Sequence, residues 1–92
     1  METTFAMDFR IANAFGKGAV RDTYKRAFEE WKHNVNYMAE LTYVLNAWCW
    51  ALYERGNTEL SKLYSDLYYK NHHWCLDNFK GDDAETYFKL TD

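Results

Sequence analysis

Ninety-two residues are enough for one small hydrophobic core, so the chain is read as a single domain over 1–92. A net charge of −3, with both signs well mixed, excludes the strong basic excess by which most proteins hold nucleic-acid phosphates. A hydrophobic fraction of 48% excludes a disordered chain, and aromatics at 20% bury enough area per residue to stabilise a short chain without disulfides.

No run of about 18 apolar residues is present, so no membrane span is expected. The opening stretch METTFAMDFRIANAFG has no basic segment ahead of an apolar one, and reads as part of the domain rather than as a secretory signal. Cys49 and Cys75 then fit free thiols in a reducing, cytoplasmic setting.

In chain order, Asp8 is placed to cap a short helix over Phe9 to Phe15, closed by Gly16, while Thr3 to Met7 can be an extended piece. A longer helix follows over about 19–32, with Val20, Tyr24, Ala27, Phe28 and Trp31 on one face. Asn34 or Asn36 can cap the next helix, over about 35–55. Its residues Met38, Leu41, Leu45, Trp48 and Leu52 repeat at 3-4-3-4 spacing, the clearest periodicity in the chain. Gly56-Asn57 breaks the chain before a helix over about 58–79, with Leu60, Leu63, Tyr64, Leu67, Trp74 and Cys75 inward. After Gly81, Asp82-Asp83-Ala84-Glu85 resembles a capping box opening a last short helix through Tyr87, Phe88 and Leu90. The expected fold is all-α: a compact three-helix core with short flanking helices at both ends.

The stretch Asn71-His72-His73-Trp74-Cys75 invites a metal reading. On a helix, His72 and Cys75 lie about 60° apart but His73 and Cys75 about 160°, so the three cannot meet one ion. His72 and Cys75 supply at most half of a zinc site. If the two long helices form a hairpin about Gly56-Asn57, residue i faces roughly 113 − i, which puts Cys49 near Tyr64 and Cys75 near Met38. The two sulfurs are then over about 10 Å apart, too far for a disulfide. Neither a metal nor another cofactor is expected.

Catalysis is not expected either. The carboxylate pairs Glu29-Glu30 and Asp82-Asp83 are adjacent in sequence and diverge on a helix, and a His72–Cys75 nucleophile pair would need an open cleft.

Two surface features remain. Arg21, Lys25 and Lys32 make a basic stripe beside Phe28, but Asp22, Glu29 and Glu30 dilute it into an ordinary solvated face. The middle helix carries a second apolar series, Tyr43, Ala47, Trp50 and Tyr53 or Glu54, opposite its core stripe. Sandwiching between neighbours would bury that series; otherwise it is an aromatic contact surface. Trp50, Tyr53 and Tyr69 are its candidate anchors, because Trp and Tyr are enriched at binding hot spots. Asp82, Asp83 and Glu85 with Asp92 concentrate negative charge at the C-terminal end and can face a basic partner.

The segments AVRDTYKRAFEEWK, ELTYVLN, ELSKLYSDLYYK, LDNFKG and YFKLTD together resemble small helical accessory proteins. Those proteins are encoded by phages and integrative or conjugative elements of Gram-positive gut bacteria. The resemblance implies a context, that of mobile elements in a bacterial host, some of whose proteins inhibit host defence nucleases, anti-CRISPR proteins among them. With no catalytic constellation, surplus aromatics and charge at one end, the expectation is a non-enzymatic protein-binding module in the host cytoplasm, acting stoichiometrically as an anti-CRISPR-like inhibitor of a CRISPR effector nuclease. The alternatives are a self-associating structural protein, or a small regulator binding metal through His72 and Cys75 or nucleic acid through the basic stripe.

Overall fold

The computed structural model describes residues 4–92. These form five helices: α1 (Thr4–Phe15), α2 (Lys17–Trp31), α3 (Val35–Glu54), α4 (Thr58–Asn78) and α5 (Asp82–Thr91). There is no strand among the described residues.

The ends of these helices show which local signals govern the chain. α1 begins before Asp8, so residues 4–7 are helical rather than extended; Thr3 lies outside the described residues. Ala6, Phe9 and Ala12 recur every third position on the covered side, which carries the helix back past the expected cap. Asp8 sits inside the helix and points its carboxylate at Arg26 of α2, 3.8 Å away. Gly16, at φ 109°, ends α1 by donating its N–H to the Ala12 carbonyl. Its own carbonyl accepts from Val20, so α2 starts at Lys17 rather than Ala19.

Of the two candidate caps for α3, the structure selects Asn34, whose Oδ1 accepts from the N–H groups of Asn36 and Tyr37 at 3.0 and 3.1 Å. At the other end, Gly56 N–H donates to the Tyr53 carbonyl and Asn57 N–H to the Leu52 carbonyl, a Schellman closure around Gly56 at φ 80°. Asn57 then turns its side chain to accept from Leu60 N–H, capping α4 immediately. Three residues, Arg55 to Asn57, therefore reverse the chain.

The expected capping box of α5 does not form. Gly81, at φ 60°, holds the N-cap position and makes no side-chain cap, and Asp82 is already the first helical residue. Asp82, Asp83 and Glu85 instead occupy the first turn, where the helix dipole favours negative charge.

α3 and α4 form the hairpin about which the rest is arranged. Ser61 Oγ donates to the Cys49 carbonyl, Trp48 stacks on Tyr64 with centroids 6.4 Å apart, and Asn71 reaches Thr42. These pairs lie within about three residues of the register expected from an antiparallel pair. α5 packs along α3, and α1 along α2. All five helices contribute to one buried cluster, including Phe9 from α1 and Tyr87 from α5. Trp74 is only half buried, its ring edge-on to Phe28 at 5.0 Å and to Phe79 at 5.8 Å. No helix among the described residues is long and apolar enough to cross a membrane.

Candidate functional site

The Asn71–Cys75 stretch belongs to a buried polar network. Tyr24 of α2 donates its hydroxyl to Asn71 Oδ1 at 3.1 Å, and Asn71 Nδ2 donates to Thr42 Oγ1 of α3 at 2.9 Å. Thr42 gives its one proton to the Met38 carbonyl at 3.1 Å. Its oxygen therefore accepts from Tyr87 of α5, 2.9 Å away, as well as from Asn71. With the Tyr87 proton so committed, the 2.7 Å contact to His72 Nδ1 is made by an Nδ1–H donating to the phenol oxygen. Side chains from four helices are joined in one satisfied chain.

This placement ties His72 to Tyr87 and leaves Cys75 buried in the core. Burial, and secondarily the neighbouring His73, lower the pKa of His72 below the ordinary imidazole value. Cys75 is 1% exposed, and burial pushes its thiol up to about 11. The thiolate, which is both the nucleophile and the metal ligand, is thus scarcely populated near neutrality. His73 points outward beside Tyr69, with ring centroids 6.3 Å apart. Among the described residues, no group of three or more His, Cys, Asp or Glu could hold a metal ion. Both cysteines are free.

The second apolar series of α3 is exposed rather than sandwiched. Tyr43 is 70%, Trp50 60% and Tyr53 57% open to solvent, because α4 and α5 cover the other sides of the helix. Trp50 and Tyr53 lie together, centroids 6.1 Å apart, and line a cleft with Cys49, Ser61, Lys62 and Ser65. Lys62, Ser65 and Tyr69 follow i, i+3, i+7 spacing on one face of α4, so exposed Tyr69 stands about 10 Å farther along the same side. The acidic residues are placed elsewhere. The head of α5 follows the far end of α4, roughly 24 Å along that helix from Lys62. Asp82, Asp83 and Glu85 are exposed there, and Glu85 pairs with Lys89 at 3.6 Å.

A further exposed stripe was not singled out in the sequence. Met7, Ile11 and Phe15 recur at 4-4 spacing on the outer side of α1, opposite Phe9 and Ala12, and Phe15 is 80% exposed. The spacing itself was the available signal. It was hidden because a short helix with apolar residues on every side does not declare which side is covered. On α2, the basic stripe is partly neutralised: Lys32 meets Glu29 at 3.0 Å and lies over the Phe28 ring.

No family model, curated protein or solved structure matches this chain.

Proposed function

We propose that this chain acts without catalysis of its own, by holding another protein against the aromatic surface of Trp50, Tyr53 and Tyr69. The carrying observation is the Trp50–Tyr53 pair, two large rings in contact and mostly exposed on a helix face that close packing could have covered. Adjacent exposed aromatics flanked by Lys62, Ser61 and Ser65 have the make-up of a hot spot with a polar rim. Their exposure leaves apolar area in water that a second protein would remove.

The resemblance to mobile-element proteins directs the choice of partner to a bacterial defence nuclease, with this chain as its stoichiometric inhibitor. Such effectors guide nucleic acid through positively charged channels. Asp82, Asp83 and Glu85 supply carboxylates for that basic surface, some 24 Å along α4 from the aromatic pair, so the contacted surface is correspondingly long. The test is target cleavage by guide-loaded effectors in the presence of the purified chain, with binding measured in parallel. The reading requires inhibition near one-to-one stoichiometry that Trp50→Ala with Tyr53→Ala removes. Inhibition that survives this double substitution places the contact elsewhere, and cleavage unaffected at excess protein removes the inhibitor reading.

A self-associating protein is the second reading, favoured by the exposed Met7–Ile11–Phe15 stripe, which suits a two-fold helical contact. Sedimentation over a concentration series decides it: a species of constant monomer mass excludes it, and a dimer dispersed by Ile11→Glu supports it.

A further inference from the structure

We infer that the cleft where α1 meets the C-terminal end of α3 is a binding site for a small organic carboxylate with a flat apolar body. Its walls are Arg10 and Asn13 of α1, Trp48 and Leu52 of α3, and Arg55 just after α3, around a volume of about 430 Å³. That volume lies in the range of small-molecule pockets.

Three features select the ligand. The first is charge: among the described residues, both cations lining the cleft are guanidiniums and no acidic side chain joins them. Neither Arg10 nor Arg55 has an ion pair among the described residues, so no carboxylate of those residues competes for them. Two planar guanidiniums on one cleft match the two oxygens of a carboxylate. The second is an orphaned donor. Tyr64 donates its hydroxyl to Asn13 Oδ1 at 2.5 Å, which fixes the amide and turns Nδ2 away from the phenol. Nδ2 is buried and has no hydrogen-bond partner among the described residues, a costly state that an acceptor oxygen reaching it from the cleft would relieve. The third is shape. Trp48 is held against Tyr64 at an interplanar angle of 26°, and with Leu52 it offers a fixed apolar wall to the body of the ligand.

The shared chemistry is a carboxylate beside a flat apolar group, whether on a free acid or at the C-terminus of another polypeptide. This site uses the opposite face of α3 from the outward Trp50–Tyr53 pair, so it stands or falls independently of the partner surface.

The experiment is a titration of the full ¹⁵N-labelled chain at constant ionic strength, following the Arg10 and Arg55 Nε–H and the Asn13 Nδ2 side-chain signals. The probes are 2-naphthoate, uncharged 2-naphthol, inorganic phosphate and N-acetyl-tryptophan, whose carboxylate imitates a chain terminus. The expected result is a saturable shift with 2-naphthoate, weakened roughly tenfold by Arg10→Gln or by Arg55→Gln. 2-Naphthol and phosphate each lack half of the recognised chemistry and should bind less well. Asn13→Asp keeps an acceptor for Tyr64 but presents a negative charge to the ligand, and should abolish the shift. Saturation at lower concentration by N-acetyl-tryptophan than by 2-naphthoate would assign the site to a polypeptide terminus, and the reverse order to a free acid. Shifts that grow linearly without saturating, match those of 2-naphthol, or persist in both arginine variants would overturn the site. Both arginines are exposed, so their variants should keep the fold, which far-UV circular dichroism verifies.

Discussion

Asn71 and Thr42, 29 residues apart in sequence, meet at 2.9 Å inside the α3–α4 hairpin, both closed to solvent. Asn71 is an amide in the middle of an apolar core, and it is tolerated because Tyr24 donates to its oxygen and Thr42 accepts from its nitrogen. Asn71→Leu retains much of the volume but strips the Tyr24 hydroxyl of its acceptor, and should lower the unfolding free energy by about 2–4 kcal/mol. Thr42→Val should cost a comparable amount, since it leaves both the Asn71 amide and the Tyr87 hydroxyl unanswered. Urea denaturation measures both. A loss under about 1 kcal/mol in either variant would show that the network contributes little.

The same network carries a pH dependence at its α5 end. His72 has a folded-state pKa below its unfolded value, because burial and then His73 disfavour the imidazolium. As pH falls below about 6.5, the unfolded chain takes up the proton first, so this residue's effect on stability becomes unfavourable. The loss grows until pH passes below the folded pKa, and is then constant. Above the unfolded value the ring is neutral in both states and contributes no slope. The imidazole signals of His72 should therefore titrate with a midpoint below 6.5, and His72→Gln should flatten the stability profile in that window. A midpoint at or above that value would contradict the burial argument.

The parts of the fold that were legible in the sequence are those fixed locally. Met38, Leu41, Leu45 and Leu52 are all buried on α3, as their spacing requires, and Asn34, Gly56 and Asn57 punctuate the chain where helix-end chemistry places them. Asp8 and Asp82 were misleading because a good cap residue is a cap only if nothing extends the helix past it. Ala6 and Phe9 extend α1, and Gly81 already holds the turn before α5. Around His72, helix geometry alone separates His73 from Cys75, as the outward His73 and the buried Cys75 show. The actual partner of His72, Tyr87 on another helix, depended on tertiary packing that no local pattern encodes. The outward series of α3 was visible as a pattern, but its exposure depended on where α4 and α5 come to rest.

The three-residue reversal between α3 and α4 depends on Gly56. Its φ of 80° lies where a Cβ is disfavoured, although a methyl group there would meet no neighbouring atom within 4 Å. Gly56→Ala should therefore cost about 1–2 kcal/mol through backbone strain alone. The effect should appear as a lower midpoint with an unchanged denaturant slope. Asn57→Ala removes the cap on Leu60 N–H and should cost about 1 kcal/mol by a separate route. Because the two residues are neighbours, their double variant tests whether closing α3 and opening α4 are energetically coupled. Additive losses would mean that the two helix ends are independent.

Trp48 and Trp50 are two residues apart on α3 and should respond oppositely to truncation. Trp48 is half buried and stacked on Tyr64, so Trp48→Ala removes packed area and should cost about 2–4 kcal/mol of stability. Trp50 is 60% exposed and touches only Tyr53 among the aromatic rings described, so Trp50→Ala should change stability by no more than about 0.5 kcal/mol. If Trp50 is a binding anchor, the small stability effect should accompany a loss of partner affinity of about a hundredfold or more, the scale of a hot-spot truncation near 3 kcal/mol. The comparison separates the two roles in one experiment, since a binding loss caused by unfolding would follow Trp48 rather than Trp50. Binding that survives Trp50→Ala in a folded variant would remove this side chain from the partner surface and leave Tyr69 or the Met7–Ile11–Phe15 stripe to carry it.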